Sequence, residues 1–97
     1  GGSGVISVVA NIVPAEVRKL CDAMAAGDMH AAKAQHLRLY PLFKAAFVET
    51  NPIPIKAMLA MAGMIQNELR LPLVPLADEY RAPLAELLGT FGIDAKA

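Results

Sequence analysis

Ninety-seven residues leave room for one hydrophobic core, since compact domains run from about 50 to 250 residues. Hydrophobic residues make up 56% and charged residues 19%, against about 45–50% and about 25% in an average soluble domain, so more apolar surface is expected than the chain can bury alone. Nine basic and nine acidic residues cancel, and the scattered Lys and Arg form no stripe to neutralise phosphates or anionic lipid, which argues against binding nucleic acid or a membrane surface.

The chain opens on Gly-Gly-Ser-Gly followed by Val5 to Val9, a short β-branched apolar run. That pattern predicts a strand covered on both faces, as in a parallel sheet. Composition alone leaves open whether the glycine-rich start is a native turn or an artificial linker. No later stretch reads as a strand, so this one has no sheet to join within the chain.

Pro14 suits the first turn of a helix, where its missing N–H costs nothing, and Glu16 there complements the helix dipole. Val17, Leu20, Cys21 and Met24 fall at i, i+3, i+4 and i+7, which predicts a helix to about Ala26 with Glu16, Arg18, Lys19 and Asp22 facing water. Gly27 is its expected left-handed cap.

Asp28 is the expected N-cap of a longer second helix reaching about Val48, with Met29, Ala32, His36, Leu39 or Tyr40, Phe43 and Phe47 at helical spacing. Pro41 falls inside it and removes one backbone hydrogen bond. Asn51 is the expected cap of a third helix, with Pro52 and Pro54 in its unpaired first turn and Gly63 near its end. The leucines, valine and prolines of Leu69 to Leu76 favour extended backbone. A last helix is predicted from about Asp78, with Tyr80, Leu84, Leu87, Leu88 and Phe91 on one stripe and Gly92 closing it.

The side chains supply little chemistry of their own. His30 and His36 stand six positions apart, on different faces of one helix, and no cysteine or carboxylate spacing completes a metal site. Lys19, Lys33, Lys44 and Lys56 fall in predicted helices, where solvation keeps an amine protonated and unreactive. Lys56 is the exception to weigh, because Ile55 and Ala57 flank it. Met58, Met61 and Met64 read as core filler. The lone Cys21 cannot form an internal disulfide; its place on the apolar stripe predicts a buried structural thiol, and a free thiol suits a reducing cytoplasm. Proline and charge interrupt every apolar run before spanning length, and the start lacks the basic leader of a signal peptide.

Three motifs carry a family resemblance. Gly-Val-Ile-Ser-Val-x-Ala-Asn at Gly4 to Asn11, Phe-Val-Glu-x-Asn-Pro-Ile-Pro-Ile-Lys at Phe47 to Lys56, and Leu-Arg-Leu-Pro-Leu-Val-Pro-Leu at Leu69 to Leu76 resemble the C-terminal third of the 4-hydroxy-tetrahydrodipicolinate synthase (dihydrodipicolinate synthase) family. The resemblance implies a mainly α chain, four helices plus one N-terminal β-strand, cut from a (β/α)₈ TIM barrel with an appended helical domain. Residues 1–27 would be the last barrel strand and helix, and 28–97 the helical domain.

The resemblance further implies an aldol-type lyase of lysine biosynthesis that condenses pyruvate with aspartate semialdehyde through a Schiff-base lysine, without a separate cofactor or metal. That lysine, the catalytic tyrosines and the threonine holding the pyruvate carboxylate lie on earlier strands, so no catalytic residue is expected in this chain. Ile6 alone carries over, as a backbone carbonyl facing pyruvate; Tyr40 and Tyr80 are assigned to packing. The family implies a homo-oligomer, typically a homotetramer. The competing reading is a non-catalytic helical module that self-associates through the unpaired segment Val5 to Val9.

Overall fold

Turn and cap residues decide where the helices begin and end. The computed structural model describes all 97 residues and contains a 3₁₀ turn at Val9–Asn11 and four α-helices: α1 at Pro14–Ala25, α2 at Met29–Ala45, α3 at Ile53–Met61 and α4 at Asp78–Gly89. Pro14 is the first residue of α1, and Glu16 lies in its first turn. At Gly27 the chain turns left-handed (φ 72°). The Gly27 amide then donates to the Met24 carbonyl at 3.0 Å and the Asp28 amide to the Ala23 carbonyl at 2.9 Å, the paired bonds that satisfy the last carbonyls of a helix. Gly63 and Gly92 close α3 and α4 in the same conformation. Asp28 caps α2 as expected, its Oδ1 accepting the Ala31 amide at 3.0 Å.

The expected strand is absent. Residues 4–7 have no regular structure, and Val9 begins the 3₁₀ turn instead. A strand needs a neighbour to pair its N–H and C=O groups, and no other segment of this chain is extended alongside it. Without that neighbour Val5 is 63% exposed and Ile6 fully exposed, while Val9 is buried.

Two boundaries and several burial expectations also shift. α2 ends at Ala45, so Phe47 and Val48 fall in the following turns, Phe47 largely exposed. The N-cap position of α3 belongs to Pro52, and Asn51 makes no capping bond. Met24 and Met64 are exposed, Cys21 is only half-buried, and Tyr40 faces solvent. α1 and α2 leave one side of their pairing open, so a helical stripe wider than the contact is covered only in part.

One cluster of sixteen buried residues runs through the 3₁₀ turn and all four helices. α1 packs along α2, α3 against α4, and α2 reaches α4. Leu39, Leu42, Met58 and Leu88 are wholly enclosed at the centre. Leu76 plugs the core from the connector, and Tyr80, Leu87 and Phe91 pack around it beside Leu84 and Leu88, as the stripe predicts. The radius of gyration is 14.2 Å and the extents are 41 × 26 × 20 Å. A closed domain of about 100 residues has about 13 Å, so the chain is somewhat drawn out. No helix is long and apolar enough to cross a membrane.

Candidate functional site

The tight turn at Gly27 and Asp28 folds α2 back along α1 and leaves an apolar face on the pair. Residues Gly2 to Val5 lie across that face and bound a groove of about 650 Å³ whose walls include Leu20, Met24, Met29 and Ala32, with Cys21, Lys33 and His36 also lining it. Ile6 follows directly. Neither its N–H nor its carbonyl takes part in a hydrogen bond. A main-chain carbonyl held in the open this way is a free acceptor, available to a ligand or to a neighbouring strand.

A polar cluster joins the other side of the two helices. The Glu16 side chain is 20% exposed. Gln35 of α2 donates through Nε2 to the Glu16 backbone carbonyl at 2.9 Å and to Glu16 Oε2 at 2.7 Å. Lys19 Nζ donates to Oε1 at 3.1 Å, and Arg38 Nη1 donates to Oε2. The Gln35 bond and then the Lys19 bond lower the Glu16 carboxyl most; burial opposes them, and the smaller pull of Arg38 adds to the lowering, which holds the carboxyl at about 2. Arg18, on the exposed side, pairs with Asp22 at 2.7 Å; this contact raises the Arg18 guanidinium above its ordinary value.

A second polar feature is a groove of about 470 Å³ between the start of α3 and the connector, lined by Pro52, Lys56, Glu68, Leu69, Arg70 and Leu73. Lys56 is half-buried and donates to the Glu68 carbonyl. It therefore straps the connector to α3.

Of the residues weighed from sequence, His30 and His36 are exposed on α2, and His36 sits beside Tyr40 and Phe43 with ring centroids 6.0 and 5.7 Å apart. Met58 and Met61 are core. No group of three His, Cys, Asp or Glu is placed to hold a metal ion. The Glu16 cluster was missed: the spacing of Glu16 and Lys19 shows a surface pair, and only the docking of α2 brings Gln35 and Arg38 to it.

The dihydrodipicolinate synthetase family model matches residues 1–90. The chain belongs to the dihydrodipicolinate synthetase family. A 4-hydroxy-tetrahydrodipicolinate synthase of Pelobacter propionicus is 50% identical over 93 residues, covering 96% of this chain and 32% of that protein. Among solved structures, the dihydrodipicolinate synthase of Aquifex aeolicus superposes with a TM-score of 0.95 at 42% identity, over 100% of this chain and 33% of the other. The chloride-inhibited Acinetobacter baumannii enzyme, complexed with pyruvate, gives 0.92 at 42% identity, over 96% of this chain and 32% of that one. The chain thus spans about a third of the length of the relatives it matches, as a C-terminal portion of the family's enzymes does.

Proposed function

We propose that this chain forms the last strand and helix (residues 1–27) and the helical domain (residues 28–97) of an aldolase-type lyase that condenses pyruvate with aspartate semialdehyde. In this reading Val5 to Val9 becomes a strand when a sheet edge supplies its hydrogen bonds, and α1 covers the barrel from outside. The Ile6 carbonyl then faces pyruvate. The Schiff-base lysine, whose amine attacks the pyruvate keto carbon with loss of water and turns it into an electron sink, comes from the preceding part of the fold.

The observation that carries this reading is the state of the opening segment. Val5 and Ile6 are exposed and unpaired immediately before the buried Val9, at a motif matching a family whose Acinetobacter member holds pyruvate. Mixing the chain with a polypeptide that supplies the preceding two-thirds of a family enzyme should restore pyruvate-dependent condensation. Borohydride trapping with pyruvate should label that polypeptide and leave this chain unlabelled. A trapped adduct on this chain, or no restored condensation from a mixture that associates, would overturn the reading.

Exposed apolar side chains favour a second reading, self-association. Met24, Met29, Leu37 and Tyr40 on α1 and α2 are exposed, as are Val5 and Ile6 of the unpaired opening segment, and apolar side chains left open on neighbouring elements are material for an interface. Light scattering at micromolar concentration should report an oligomer. A single 10.3 kDa species would exclude this reading.

A further inference from the structure

Glu16, Arg38 and Phe91 belong to three parts of the chain that share no local sequence, yet they meet at one guanidinium. We infer that Arg38 is a positioning residue that couples α1 to the segment after α4, because one guanidinium is held between the Glu16 carboxylate and the Phe91 ring.

Gln35 lies one turn before Arg38 on α2 and grips Glu16 twice, by its backbone carbonyl and by Oε2. That double grip leaves the same Oε2 directed at Arg38 Nη1. On its other side the Arg38 Cζ lies 4.9 Å from the centroid of the Phe91 ring, within the range of a cation–π contact. Phe91 is half-buried against the core and begins the segment whose Ile93 and Ala95 also pack there. A planar, delocalised guanidinium can hydrogen-bond along its edge while its face lies on a ring; a lysine ammonium cannot divide itself in that way.

The two contacts are therefore not independent. Without the carboxylate the guanidinium is free to rotate into water and leave the ring; without the ring its hold on the carboxylate loosens. Each single change removes part of one shared restraint, so the second change costs less than it would alone. The coupling concerns this chain's own packing and does not rest on the catalytic reading.

A double-mutant cycle tests it on the 97-residue chain. Glu16→Gln, Phe91→Leu and their combination are compared by urea unfolding, in the native background and with Arg38→Met. The folding constant of the double variant should exceed the product of the single effects by about two- to threefold. With Arg38→Met the effects should multiply simply, and Arg38→Lys should not restore the excess. Simple multiplication in the native background, or an excess that persists without Arg38, overturns the inference.

Glu16→Gln is nearly isosteric and gives a second readout by NMR. The Phe91 ring should shift the Arg38 δ-methylene protons upfield in the native chain, and this shift should shrink in the variant. An unchanged shift there also overturns it.

Discussion

The backbone amide of Lys96 donates to the carbonyl of Met61 at 3.0 Å, which ties the end of the chain to the last turn of α3. The two residues stand thirty-five positions apart in sequence, and Ile93 and Ala95 of the same segment pack against the core. Lys96→Pro deletes that donor and should lower stability by about 1 kcal/mol. Removing residues 93–97 also strips apolar cover and should cost about 1–3 kcal/mol. Urea unfolding midpoints measure both.

Core and surface leucines should separate cleanly. Leu39 is wholly buried and Leu71 is 87% exposed. Leu39→Ala should cost about 2–5 kcal/mol through lost burial and the cavity left behind. Leu71→Ala should stay within about 0.5 kcal/mol of the native chain.

The caps offer a sharper contrast. Asp28→Ala removes the side-chain acceptor of the Ala31 amide and should cost about 1 kcal/mol. Asn51→Ala, at the position expected from sequence to cap α3 but making no such bond, should cost less than about 0.5 kcal/mol. Gly27→Ala forces a side chain into the left-handed region at φ 72° and should cost about 1–2 kcal/mol. Thermal melts of the three variants would rank them.

Glu16 should give the chain a distinctive acid limb. Its carboxyl is held at about 2 in the folded chain, below the ordinary value of 4.5. A depressed carboxyl pKa contributes stability that is fully present above the unfolded value and is lost as pH falls from about 4.5 towards about 2. Glu16→Gln should flatten stability over that window and leave the slope at neutral pH unchanged. Denaturation midpoints collected from pH 2 to 7 would check it, and an identical slope in both chains would contradict it.

Ile6→Asp separates the isolated chain from the assembled one. The native side chain is fully exposed, so unfolding of the chain alone should change by less than about 0.5 kcal/mol. If Val5 to Val9 inserts into a sheet, a buried carboxylate there should abolish restoration of condensation in the mixing experiment.

The four helices were legible in the sequence because their signals are local. Pro14, Asp28 and the glycines at 27, 63 and 92 act on the few residues beside them, and the apolar spacing of Leu84 and Leu88 reports a buried face wherever it packs. The three motifs likewise carried the family, since matching residues needs no geometry. The opening strand failed for the opposite reason: a strand is made by its neighbour's hydrogen bonds, and no other segment of these 97 residues supplies them to Val5 to Val9. Tertiary structure alone decided that Glu16 is gripped by Gln35 and Arg38, that Arg38 reaches Phe91, and that Lys56 straps the connector. Each of these contacts joins residues 12 or more positions apart, and only the docking of one element on another brings such side chains within reach.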